Sequence, residues 1–203
     1  MITAFEALQR LKDGNRRFID GQGGRDLDFE HVRRLQLVEE QHPFAIVLGC
    51  SDSRVPLELI FDQGLGDLFV VRVAGNIVAP SQVGSIEFAA ETFGTPLVVI
   101  LGHTGCGAVE TAVDEVLNPS EKLPPNLDRV VDYVRPTIRR LIENAPEITR
   151  EGLLDQAVRA NVRSMAARLI AESEPLKNRA DKGDLVVVGA EYSLQTGIVE
   201  YFV

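Results

Sequence analysis

A chain of 203 residues with 45% hydrophobic and 25% charged side chains has the make-up of a globular protein, at a length that fits one domain and excludes collagen-like repetition or wholesale disorder. Its 21 Lys and Arg against 30 Asp and Glu leave a net charge of −9, which argues against nucleic acid or an anionic lipid surface as a partner. Apolar runs such as residues 97–101 are far short of the roughly 20 residues a membrane helix needs, and the first 18 residues carry Glu6 and Asp13 without a leader-like apolar stretch, so a cytoplasmic protein is expected.

Thr3 and Glu6 have the spacing of a capping box, and Phe5, Leu8, Leu11, Asn15 and Phe18 recur at helical spacing. The chain therefore opens with an amphipathic helix that Gly21, Gly23 and Gly24 end. A second short helix over 29–38 completes an N-terminal helical arm, residues 1–40, of a single domain spanning 1–203. Four apolar runs follow along the chain: 44–48, 68–73 (interrupted by Arg72), 97–101 and 185–188. They lack the alternation of a half-exposed sheet, so they are expected to be four buried strands of a mostly parallel central sheet. Helical stretches at 82–93, 108–116, 127–142 (bent or restarted near Pro136) and 153–171 separate them, which makes an α/β fold with right-handed crossovers. In the last of these, Leu154, Val158, Val162, Met165 and Leu169 form one stripe for the core. Residues 118–126 have the prolines of a surface loop. Thr196-Gly197 turns the chain into residues 198–202, an antiparallel edge strand.

Two cysteines do not make a disulfide framework; they are metal ligands, a redox pair or inert core residues. In an open parallel sheet, ligands collect beyond the carboxyl ends of the strands. Cys50 directly follows one apolar run, in Gly49-Cys50-Ser51-Asp52-Ser53-Arg54, and His103 and Cys106 directly follow another, in Gly102-His103-Thr104-Gly105-Cys106-Gly107. If those strands are neighbours, two thiolates, an imidazole and a carboxylate converge, a set suited to Zn²⁺, and the glycines at 102, 105 and 107 let backbone approach the metal. A cysteine after a buried strand is also a good small core residue, so the spacing alone leaves the alternatives open.

Taken together, these residues resemble the β-class carbonic anhydrases, whose pattern of Cys-x-Asp-x-Arg and then His-x-x-Cys is matched by Cys50, Asp52, Arg54, His103 and Cys106. The likeness runs on through Leu68-Phe69-Val70-Val71-Arg72-Val73-Ala74-Gly75-Asn76 and Gly84-Ser85-Ile86-Glu87-Phe88-Ala89, and covers at least residues 41–109. It implies Zn²⁺ on Cys50, His103 and Cys106, with water in the fourth position, or Asp52 in a closed state, and reversible hydration of CO₂ to bicarbonate and a proton by a zinc-bound hydroxide. Two thiolates already donate charge to such a metal, so activity should favour neutral to alkaline pH. Arg54 offers a bidentate guanidinium that can hold Asp52 off the metal, making the pair a gating and orienting dyad.

The resemblance also implies a CO₂ pocket lined by Phe69, Phe88, Ala74 and the backbone at Gly107, with Gln41 reaching the substrate through its amide. In this family the pocket forms at a dimer interface, Gln41 and the two Phe side chains facing a partner's zinc, so a homodimer is expected, with pairing of dimers into a tetramer as the further step. The bacterial branch with an inhibitory bicarbonate site carries a Trp three residues before the first zinc cysteine. Here that residue is Val47 and the chain has no Trp, which points to the plant-like branch, without bicarbonate-triggered closure and with Asp52 resting on Arg54. Arg72 then serves structure or the dimer interface. His31 and His42 sit among polar residues and are expected in solvent.

Three rival readings differ in kind. A nucleotide-binding module lacks its Gly-x-x-x-x-Gly-Lys-Ser/Thr loop, and Gly64-Leu65-Gly66 precedes a strand instead of opening a helix. A zinc or redox protein without catalysis would carry the same cysteines, and a hydration assay separates it from an enzyme. Hydrolysis of CS₂ or COS would use the same metal site behind a different access path.

Overall fold

The computed structural model describes residues 2–24, 27–119 and 123–202. In chain order it comprises α1 (Ala4–Ile19), α2 (Leu27–Gln36), β1 (Ala45–Gly49), α3 (Leu57–Ile60), β2 (Leu68–Arg72), a single 3₁₀ turn (Ala74–Asn76), α4 (Pro80–Phe93), β3 (Leu97–His103), α5 (Gly107–Leu117), α6 (Pro125–Asn144), α7 (Arg150–Glu172), α8 (Glu174–Asp181), β4 (Val186–Tyr192) and β5 (Val199–Phe202). The strands form one five-stranded sheet in the order β2-β1-β3-β4-β5, parallel throughout except for β5, which runs antiparallel to β4. From β1 the chain goes first to β2 on one side and then crosses to β3 on the other. The carboxyl ends of β1 and β3 therefore frame the topological switch point, where open α/β sheets bind ligands.

All residues of β1 and β3 are buried, as expected for strands covered on both faces. Ile46, Leu48, Val98 and Ile100 point to the face covered by α4, α5, α6 and α7, while Ala45, Val47, Val99 and Leu101 point to the face covered by α1 and α3. The alternation is that of any strand; both sides are apolar because both are covered. β2, at the edge, is only partly buried over Leu68–Val70 and leaves Arg72 exposed.

The capping box at the start of α1 is formed, with the Glu6 N–H donating to Thr3 Oγ1 and the Thr3 N–H to the Glu6 carboxylate. Along α1 the buried residues are Ala7, Leu11, Gly14 and Asn15, whereas Phe5 is 76% exposed: the cap sets the first turn so that Phe5 faces outward. Asn15 ties α1 to the rest of the molecule, donating to the Ile60 and Gly197 carbonyls at 3.1 and 2.9 Å and accepting from the Val199 N–H at 2.9 Å. Gly197 (φ 76°) makes the turn into β5.

α6 runs unbroken through Pro136, where a bend or restart was expected. The expected surface loop 118–126 lies partly outside the described residues, and its end already belongs to α6. α3 and α8 were not expected; α8 starts where Ser173 caps the Leu176 N–H, with Pro175 in the first turn, a sequence signal that was available. Among the described residues no helix is long and apolar enough to cross a membrane.

Candidate metal centre

Cys50 leaves the end of β1, and the tight turn after β3 carries His103, Thr104, Gly105 and Cys106. Gly105 takes a left-handed conformation (φ 64°) that lets the turn close. Thr104 fastens this turn to the neighbouring strand, its N–H donating to the Tyr192 carbonyl at 3.0 Å and its Oγ1 accepting from the Leu194 N–H. The sulfurs of Cys50 and Cys106 and a nitrogen of His103 come together, each residue buried and all three ligand atoms within 4.8 Å of one another.

The donor set fits zinc on three counts. Two thiolates at ~2.3 Å from a tetrahedral ion stand ~3.8 Å apart, and the two Sγ atoms are separated by 3.9 Å. His103 Nδ1 donates to the Thr104 carbonyl at 3.0 Å, an acceptor-only partner, so Nε2 carries the free lone pair, and Nε2 is buried without a hydrogen-bond partner. Finally, one thiol is poised to lose its proton while the other holds on to its own. The Cys106 thiol's hydrogen bond drives Cys50 down to about 4 against the cost of burial, and the same contact, with burial, pushes Cys106 up. Two such groups cannot both ionise unaided; a divalent cation between them removes that repulsion, and the first amides of α5 already favour the Cys106 thiolate.

Asp52 lies beside this cluster, its Oδ2 3.9 Å from His103 Nε2. It is held away by Arg54, whose Nε and one terminal nitrogen grip the two carboxylate oxygens at 2.9 and 2.7 Å while the Arg54 backbone N–H adds a third bond at 2.9 Å. The guanidinium beside it keeps the Asp52 carboxyl well below the usual carboxylate range. Arg54 also reaches the Gly105 carbonyl at 3.2 Å, so it links the two ligand-bearing turns. Arg72, at the end of β2, donates to the carbonyls of Cys50 and Asp52 at 3.0 and 2.7 Å and thereby clamps the loop between them. Its interruption of an otherwise apolar run was the only sign of this in the sequence.

Residues 45–199 match the family described as carbonic anhydrase. The chain belongs to that family. Carbonic anhydrase 2 of Mycobacterium tuberculosis is 38% identical over 194 residues, covering 94% of this chain and 89% of the relative, and the carbonic anhydrase of Mycolicibacterium smegmatis is 38% identical with 96% and 91% coverage. Among solved structures, the beta-carbonic anhydrase CcaA superposes with a TM-score of 0.78 at 28% identity, over 97% of this chain and 88% of that one; CafA of Aspergillus fumigatus gives 0.75 at 28% identity, over 85% and 82%. This carbonic anhydrase is of the β-class, a zinc lyase whose substrates are CO₂ and bicarbonate.

Of the pocket residues expected in this carbonic anhydrase, Ala74 and Gly107 lie next to the cluster. Ala74 opens the 3₁₀ turn whose Gly75 N–H donates to Cys50 Sγ at 3.4 Å, and Gly107 follows Cys106 with open space where a Cβ would stand. Phe69 and Phe88 are elsewhere in the chain. Phe69 pairs with Ile46 in the sheet register, well before Gly49, and its ring meets those of Phe88 and Phe93 at centroid distances of 6.2 Å. Gln41 is exposed, ahead of β1 at the amino end of the sheet. The chain alone does not bring these three to its own cysteines.

Proposed function

We propose that this enzyme carries zinc on Cys50, His103 and Cys106, that Asp52 and Arg54 gate and orient the hydration of CO₂, and that it belongs to the plant-like branch of the β-class. The observation that carries the reading is the two-pronged grip of Arg54 on Asp52, which leaves three donors converging and the nearby Asp52 carboxylate occupied elsewhere. Bound there, zinc supplies a Lewis acid that makes water a nucleophile near neutral pH. Asp52, ionised and therefore acceptor-only, takes a hydrogen bond from the attacking oxygen and fixes which lone pair faces the carbon of CO₂. Arg54 keeps the carboxylate from swinging onto the metal, where a fourth protein ligand would close the site.

Ala74 and the Gly107 backbone form the near wall of the pocket in this reading, and Gln41, Phe69 and Phe88 complete it from a second copy. A homodimer follows, with pairing of dimers into a tetramer as the further step and residues 1–40 as the arm of a single cytoplasmic domain. The half-exposed Phe88 and the exposed Phe5 support such a contact. Val47 in place of the Trp supports an enzyme that stays open in bicarbonate, with Asp52 on Arg54. Stopped-flow CO₂ hydration across neutral and alkaline pH, with zinc quantified in the same sample, tests all of this. Activity in proportion to zinc, rising toward alkaline pH and without cooperative loss in bicarbonate, is expected. Zinc-loaded protein that fails to hydrate CO₂ overturns the functional reading, and steep bicarbonate inactivation overturns the branch.

A further inference from the structure

We propose that Asn161 is a positioning residue for the Cys50 thiolate, holding the Gly75 carbonyl and with it the turn at Gly75 that aims the Gly75 N–H at the sulfur. The inference rests on the reading that Cys50 binds zinc.

Asn161 stands on the core-facing stripe of α7, between Val158 and Val162, and is wholly buried. A leucine would fill such a place; a buried amide is retained only where its hydrogen bonds are used. Its Nδ2 donates to the Gly75 carbonyl at 3.0 Å, while its Oδ1 has no partner, so saturating the amide is not what keeps it there. Nδ2 must face that carbonyl, because the opposite orientation would set two acceptors against each other.

The carbonyl held in this way belongs to the peptide after Gly75, and the N–H that serves the metal site belongs to the peptide before it, so fixing the one fixes the backbone angles at the Gly75 α-carbon that aim the other. The Gly75 N–H donates to Cys50 Sγ at 3.4 Å. Gly75 takes φ 68°, and a Cβ there would stand 3.2 Å from the Ala108 Cβ, so no other residue adopts this turn without strain. A donor on the sulfur stabilises the thiolate, the form a metal binds, and fixes its orientation, and such partners behind a ligand tune both affinity and reactivity. Asn161 therefore acts on the zinc thiolate through the backbone of one residue, Gly75, from a helix that contributes no ligand.

The test replaces zinc with an NMR-active cadmium isotope, so that scalar coupling from the metal through sulfur to an amide proton reports the N–H···S bond directly. Wild-type protein should show this coupling at the Gly75 amide. Asn161→Leu, and Asn161→Asp with nearly the same volume, should lose it and hold zinc about tenfold more weakly against a chelator. Asn15→Leu, which breaks an equally buried amide far from the site, should lower Tm but keep both the coupling and the zinc affinity. Cadmium-loaded wild type without coupling at Gly75 overturns the proposal, as do Asn161 variants that retain coupling and affinity. If Asn161→Leu does not fold, Asn161→Asp and the wild-type coupling still decide. Cys50→Ser run alongside tests the underlying reading: undiminished zinc in that variant would sink the ligand assignment, whatever the Asn161 variants do.

Discussion

At the carboxyl ends of β1 and β3 one chain encloses its own chemistry: Cys50, His103 and Cys106 are buried, Asp52 is gripped by Arg54, and Arg72 pins the loop that joins them. Along the β2 edge the same chain leaves work unfinished. Phe69, Phe88 and Phe93 form an aromatic cluster, yet Phe88 stays 53% exposed. The contrast separates two properties of the enzyme. Metal binding needs only local turns placed by adjacent parallel strands, whereas the apolar pocket for CO₂, in the reading proposed above, draws on surface that a second copy supplies.

The strongest challenge to that division is at the enclosed end. Cys106→Ser should take zinc from about one ion per chain to almost none, with activity lost in step, because a hydroxyl is a poor substitute for a thiolate on zinc. Metal analysis beside a hydration assay measures both, and stoichiometric zinc in the variant would break the assignment. Next in size, Arg54→Ala frees Asp52, whose carboxylate has only a short distance to cover toward the cluster. Activity at neutral pH should drop about 10–100-fold with zinc retained, and Arg54→Lys should recover only part, since an ammonium lacks the paired donors. Unchanged rates in Arg54→Ala would remove the dyad from the mechanism.

Much of the enclosed end was legible in the sequence, because its signals are local. Cys50, Asp52 and Arg54 share one turn, His103 and Cys106 share another, and both turns follow apolar runs that could hardly be anything but buried strands. The same locality explains what was missed. The bond from Asn161 to Gly75 joins residues 86 positions apart, and its only trace was a polar residue inside the apolar stripe of α7. Phe5 looked like a core residue by spacing, but burial along α1 begins only at Ala7, after the helix has started. Nothing in a single chain's pattern tells a half-buried Phe88 from an interface Phe88.

The open end is tested by Phe88→Glu. If a second copy covers this ring, the buried carboxylate disrupts the contact, so light scattering should report a smaller particle and kcat/KM should fall by about tenfold or more, zinc staying bound. A variant of unchanged mass and activity would mean that the aromatic cluster is merely part of the core's margin, and the pocket would have to be sought within one chain.

The smallest effect on chemistry should come from a site where stability alone is at stake. Asn15 joins α1 to the turn before β5 and to the end of α3 through three hydrogen bonds, all made by a nearly fully buried amide. Asn15→Leu keeps the branching and the number of side-chain heavy atoms but strands two carbonyls and an N–H, a loss of about 2–3 kcal/mol and of roughly 5–10 °C in Tm for a chain of this size. None of those groups touches the ligand-bearing turns, so zinc content and kcat at low temperature should stay at wild-type values. Thermal melting, metal analysis and a rate measurement on one preparation check this. Loss of zinc along with Tm would mean that the arm and the metal centre are a single cooperative unit, and the division between the two ends of the sheet would fail where it is easiest to defend.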